Sequence, residues 1–336
     1  MRLGIRLPLC RDARTVAAAA QRAEALGFDT VWLPDSQLLW RDVWATACTV
    51  AATTERVSIG IAVTNVTTRH PSVVASAIRT VQELAPDRLI VAFGAGDSAL
   101  RPLGERPTPG ARLRTGMEQV RTLLAGEAVD FGGGPMHLRD AAGLIPTYMA
   151  ANGPKNLAVA GSIADGVIVL SGASAPALER SLDHVHRGAE AAGRDPSSID
   201  VVVSAFTMVT DDVERDARLL KPICAGIAQT GGHRLLALAD IAIDVPDRVP
   251  EVYPDLVHAE DWERAVEVCS RWVSDADALA FARTFSMFGT VEEIAKRVQT
   301  LADCGATRMQ LQHVGSYNLP FDLMESIGTG LLPAVH

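Results

Sequence analysis

Along the chain the apolar residues recur with a period that switches between two and about 3.6, and Gly, Pro or Asp marks each switch. Strand-like runs fall at residues 3–7, 30–33, 57–63, 89–93, 146–150, 166–170, 199–207 and 308–312. Helical periodicity fills most of the intervals. Asp12 is placed to cap a first helix with Val16, Ala20 and Ala23 on its buried edge, and Gly27 is placed to end it. Further helices are predicted near 43–54, 73–84, 112–124 and 176–192, with a shorter one reaching about 160. The last is the clearest: Thr290 and Glu293 form a capping box, Ile294, Val298 and Leu301 share a face, and Gly305 stops it. From about 211 to 285 the strand signal gives way to helical, acidic and Pro-containing pieces, too long for an ordinary connection, which predicts a helical insertion after the seventh strand.

Near-continuous apolar strands joined by helices fit a parallel sheet buried on both faces. Eight such units close a (β/α)8 barrel, whereas an open doubly wound sheet more often stops at five to seven. The expectation is therefore an α/β protein, one TIM-barrel domain spanning residues 1–336.

Composition narrows the partners. The chain is 48% hydrophobic and 21% charged, enough to bury a large core, and its net charge of −9 argues against nucleic acid or an anionic membrane as the main ligand. No stretch approaches the roughly 18 apolar residues of a membrane span. The opening residues lack the apolar block of a secretion signal, so a cytoplasmic location and a small-molecule substrate are expected. Cys10, Cys48, Cys224, Cys269 and Cys304 are scattered and never form a C-x-x-C pair, which predicts reduced fillers and no zinc site. The histidines show no metal-binding spacing, so no metal is expected.

In a barrel the ligand site lies at the C-terminal ends of the strands. Reading past each strand gives Asp35 and Ser36, then Thr64 and Asn65, then Gly94, Ala95, Gly96 and Asp97, then Asn152, Gly153 and Pro154, then Ser171 and Gly172, and finally Ser204, Thr207, Gln312 and His313. The Gly94-x-Gly96 pair is no dinucleotide fingerprint, because its third glycine is missing; its alternative use is close backbone approach to a flat ring. Asn152 to Asn156 opens a helix, suited either to receive an anion such as a cofactor phosphate or simply to start the helix. His70 precedes Pro71, and helix entry outweighs ligand contact as its role. The loose Pro/Gly-rich segment 101–110 suggests a loop lying over something.

Taken together, Val31-Trp32-Leu33-Pro34-Asp35, the run Ile59 to Asn65 followed by Arg69-His70-Pro71, Gly94-Ala95-Gly96-Asp97-Ser98, and Ala150-Ala151-Asn152-Gly153-Pro154 resemble the bacterial luciferase-like monooxygenase superfamily. The similarity is greatest to its coenzyme F420 (deazaflavin)-dependent branch and runs from the first strand to the eighth. This resemblance implies that Asp35, the candidate catalytic residue, lies by the deazaflavin ring with Ser36, Thr64 and Asn65 nearby. It implies a non-prolyl cis peptide at Ala62-Val63 behind the ring. It places Gly94 to Asp97 along the cofactor and gives the phosphate to Asn152, Gly153, Pro154, Ser171 and Gly172. It also implies a homodimer through the second and third helices, including Trp44 and Val50, residues that suit an ordinary core equally well. Ser36 stands where the sugar-phosphate dehydrogenases of the branch carry a histidine, and Asp97 where they carry a glutamate, which weakens the case for glucose 6-phosphate. The expected chemistry is hydride transfer between F420 and a small organic substrate. An FMN-dependent monooxygenase using reduced flavin and oxygen, or a non-catalytic flavin-binding barrel, are the alternatives.

Overall fold

A computed structural model of the chain describes residues 1–141, 143–170, 172–315 and 317–332. Eight parallel strands close a ring: β1 (Arg2–Arg6), β2 (Thr30–Leu33), β3 (Ser58–Thr64), β4 (Leu89–Phe93), β5 (Thr147–Ala151), β6 (Gly166–Val169), β7 (Asp200–Val209) and β8 (Arg308–His313). Each strand pairs with the next in sequence, and β8 returns to β1 with Arg2 opposite Arg308. Around it run α1 (Ala13–Leu26), α2 (Val43–Thr53), α3 (Pro71–Leu84), α4 (Gly110–Leu124), α5 (Pro154–Ile163), α6 (Ala175–Ala191), α7 (Val291–Asp303) and α8 (Phe321–Gly330). The predicted barrel is thus the observed one.

The punctuation works as chemistry requires. Asp12 accepts from the Arg14 and Thr15 amides at the start of α1, and Gly27 ends it at φ +93°, a conformation that suits a residue without Cβ. Thr290 and Glu293 form the reciprocal capping box of α7. His70 caps α3 by accepting from the Ser72 amide.

Strand alternation sorts the apolar side chains into two layers. Leu3, Ile5, Ile59, Ile61, Val201 and Val203 point outward into the core shared with the helices. Trp32, Ala62, Ile90, Ala92, Tyr148, Ile168 and Val202 fill the barrel interior. Trp32 is its central plug, with no exposed surface. A Cβ on Gly4 would lie 2.4 Å from the indole nitrogen and one on Gly60 2.1 Å from the ring, so the neighbouring strands give Trp32 its slot.

Below the plug is a polar floor. Tyr148 and Thr307 (2.6 Å) donate to Asp200, and Arg308 pairs with it at 3.0 Å. Burial pushes the Asp200 carboxyl up, but these bonds outweigh it and hold it below the usual carboxylate range.

Helices occupy the insertion as expected, the longer ones at Lys221–Gln229, Trp262–Cys269 and Asp275–Phe285. They bury their own core of Leu220, Ile223, Cys224, Phe281 and Phe285, joined by Phe206 and Met208 from β7. Two features are absent from the sequence reading. Met287–Gly289 pairs with Thr207, Met208 and Val209, extending the wall above β6, and a hairpin joins Val129–Asp130 to Pro135–Met136. Both are too short to show a period. All five cysteines are free thiols. Trp44 and Val50 are buried within this one chain. Among the described residues no helix is long and apolar enough to cross a membrane.

Candidate active site

At the C-terminal mouth, the chain leaving β2 carries Asp35 inward, where its side chain is only 4% exposed. One carboxylate oxygen accepts from Thr64 Oγ1 at 2.8 Å and Arg69 Nε at 3.2 Å, and the other from Arg69 Nη2 at 3.3 Å. Arg69 reaches on to Asp42, the N-cap of α2, at 2.8 Å. Burial pulls the Arg69 guanidinium down, but the bonds to Asp35 and Asp42 outweigh it and raise its pKa above the ordinary value. One guanidinium therefore ties the exits of β2 and β3 to the start of α2. Ser36 and Ser98 share a hydroxyl bond of 2.6 Å, which joins the β2 exit to the loop after β4.

The end of β3 is irregular. The Ala62-Val63 peptide is cis, and the register with β4 slips between Ala62 and Thr64, leaving Val63 as a bulge. The two glycines after β4 admit this irregular exit. A Cβ on Gly94 would meet Val63 Cγ2 at 2.7 Å, and one on Gly96, at φ +74°, would meet the Asn65 side chain at 2.9 Å. Asn65 is fully buried; its carbonyl oxygen accepts from Thr67 and Thr68, while its amide nitrogen has no partner. Ala95 accepts from the Thr108 amide at 2.8 Å, and the Thr108 hydroxyl meets that of Thr67 at 2.8 Å. The loose segment 101–110 is thereby strapped across the exits of β3 and β4. Asp97 stands farther out, 43% exposed and paired with Arg101 at 2.7 Å.

Asn152 is exposed, and Gly153 and Pro154 open α5 with no side chain capping its first amides. A Cβ on Gly153 would touch nothing within 4 Å, so the helix start faces open space. Uncapped amides at a helix start are anion receivers. Gly172, at φ +71°, has a different cause for its missing side chain: a Cβ there would lie 2.7 Å from the Cβ and carbonyl of Phe285. It is the seat of the insertion. Ser171 lies outside the described residues.

The structure thus brings Asp35, Ser36, Thr64, Asn65 and Gly94 to Gly96 into one rim around the Val63 bulge, leaves Asp97 outside it, and sets Asn152 to Pro154 at the β5 exit. Ala62, Val63 and Ala150 are the least buried members of the interior cluster that holds Trp32, and they form a shelf of small residues, while Ala92 is buried beneath it. A shelf without bulky side chains, with an uncapped helix start along the rim, fits a flat ring carrying an anionic tail. Arg69 is the residue the sequence reading missed as part of this site. Its signal was a charged residue soon after a strand end, opposite an aspartate at the next strand's exit. A cavity of about 320 Å³ lies elsewhere, between the ends of β7 and β8 and the start of α8, lined in part by Thr207, His313, Leu319 and Asp322.

Known proteins share this architecture. The chain is 30% identical over 304 residues to the 5,10-methylenetetrahydromethanopterin reductase of Methanolobus tindarius, covering 88% of each. It is 28% identical over 318 residues to the F420-dependent glucose-6-phosphate dehydrogenase of Kineococcus radiotolerans, covering 88% of this chain and 85% of that one. The solved coenzyme F420-dependent tetrahydromethanopterin reductase of Methanopyrus kandleri superposes with a TM-score of 0.79 at 23% identity, over 100% of this chain and 99% of the other. The profile of the luciferase-like monooxygenase family matches residues 1–308, and the chain belongs to that family.

Proposed function

We propose that the chain is an oxidoreductase that passes a hydride between coenzyme F420 and a small organic substrate. The observation that carries this reading is the shelf formed by Ala62, the Val63 bulge and Gly94 beside the buried Asp35, in a chain whose relatives along most of its length include an F420-dependent dehydrogenase.

When bound, F420 supplies a ring carbon that gives or takes the hydride. The protein's own residues supply position and dryness. Val63 and the small residues around it would support the ring, leaving room for the substrate. The uncapped amides at the start of α5 would receive the phosphate, with Gly153 leaving room for it. Trp32 closes the barrel beneath, so water does not reach the shelf from below. Both oxygens of Asp35 are engaged by Arg69 and Thr64, so Asp35 holds the ring-side rim in place. Asp97 lies on the solvated edge of the rim, paired with Arg101.

The test is turnover under anaerobic conditions with a panel of alcohols, aldehydes and reduced or oxidised acids, followed by the visible absorbance of the deazaflavin. F420-linked conversion without oxygen supports the reading. Conversion that requires oxygen and reduced FMN, with F420 inert, overturns it.

A further inference from the structure

Arg6 is the one charged residue at the upper end of β1. Alternation sends Leu3 and Ile5 outward and turns Gly4 and Arg6 into the barrel. Trp32 fills the space at Gly4, so Arg6 is the first β1 side chain above the plug to reach the mouth. It is only 9% exposed. Among the described residues no carboxylate pairs with it and no hydrogen bond holds it; its contact is with the Trp40 ring, 5.5 Å from guanidinium carbon to centroid.

The other sheltered arginines differ. Arg308 pairs with Asp200, Arg69 with Asp35, and Arg88 donates to the carbonyls of Ala51, Thr54 and Val57. A guanidinium taken out of water without a partner is costly, and burial pushes the Arg6 pKa down to about 10. Its surroundings hold it in place. Trp40 stacks on Tyr317 at 6.2 Å and meets the edge of His258 at 5.8 Å, and Asp255 accepts from that histidine at 3.0 Å. Arg11 and Arg41 lie close enough to act on the nearby Cys10 thiol together with Arg6. In the ring of strands, β1 stands opposite β5. Arg6 therefore faces the α5 amides from across the mouth.

We infer that Arg6 is a specificity residue that binds an oxyanion of the substrate, so that the substrate is a small organic anion carrying a carboxylate or phosphate. The inference rests on the proposed function only in taking the α5 side for the cofactor. The fork of a guanidinium matches either oxyanion with two parallel bonds, and the Trp40 ring lies beside it.

The test titrates the full chain, with and without saturating F420, with inorganic phosphate, acetate and malonate, following tryptophan fluorescence and thermal midpoint. Wild type is expected to respond saturably to at least one of these anions, phosphate or carboxylate preference naming the oxyanion. Arg6→Gln is expected to weaken that response at least about tenfold, Arg6→Lys to restore part of it, and F420 affinity to stay within about twofold in both. The thermal midpoint of Arg6→Gln without anions should equal or exceed that of wild type, because a buried unpaired charge has gone. Equal anion responses in wild type and Arg6→Gln, or no response in wild type, overturn the inference. So does a loss of F420 affinity in Arg6→Gln, which would assign Arg6 to the cofactor. If wild type fails to bind F420 yet shows the Arg6-dependent anion response, the proposed function falls and this inference stands.

Discussion

A Cβ atom on Gly94 would lie 2.7 Å from Val63 Cγ2, so the bulge at the end of β3 and the missing side chain after β4 are one feature seen from two strands. Gly94→Ala must move Val63 or the β4 exit. Overpacking of this kind costs about 1 to 3 kcal/mol. The expected outcome is a modest fall in thermal midpoint with F420 affinity reduced at least about tenfold, measured by fluorescence titration. Unchanged affinity in a folded Gly94→Ala protein would separate the bulge from the cofactor shelf.

Asp35 and Arg69 form a sheltered pair, 4% and 21% exposed, that spans two strand exits. Removing one partner leaves the other charge short of compensation, at a cost of about 3 kcal/mol. Asp35→Ala and Arg69→Met should each lower stability by that order and impair turnover. In a double-mutant cycle on urea unfolding, the two should couple by about 1 to 3 kcal/mol. Additive effects would show that the pair does not act as a clamp.

The barrel floor gives a contrasting expectation. Asp200→Ala strands Arg308, which is 10% exposed, and should cost about 3 to 5 kcal/mol while leaving F420 affinity of the folded fraction unchanged. Chemical denaturation and titration together check this. A large affinity loss at full stability would mean that the floor communicates with the mouth.

His313 gives a pH signature. Burial first, and the Arg6 charge second, push its pKa from 6.5 to about 4, against the opposing pull of the Gly315 and Asn318 carbonyls. Between those two values the unfolded chain takes up a proton that the folded chain refuses. Stability therefore falls as pH drops from about 6.5 to about 4, and this group causes no further loss below that. The loss between pH 7.5 and 5 is about 2 kcal/mol. Urea midpoints across this window should slope for wild type and flatten for His313→Gln; equal slopes would contradict the assignment.

The sequence carried the barrel because strand alternation and helix caps are local signals. Asp12, Gly27, Thr290 and Glu293 act where the pattern put them. The rim was readable for the same reason, since strand ends fix where Asp35, Asn65 and Gly94 emerge. What could not be read depends on distant partners. Gly172 is small because of Phe285, and Gly4 and Gly60 because of Trp32, relationships that span the ring or the insertion. Met287–Gly289 is a strand only because β7 overshoots β6 and offers it an edge. The parity that turns Arg6 inward was present in Leu3, Ile5 and Leu7, but its lack of a partner appears only when the fold shows which carboxylates stay away.

The central claim is that the shelf around Val63 holds a deazaflavin, and the most direct measurement is an equilibrium titration of the purified protein with F420 and, separately, with FMN. The account predicts saturable F420 binding that is at least about tenfold tighter than FMN binding and is weakened by Gly94→Ala. Tight FMN binding with no detectable F420 binding would contradict it.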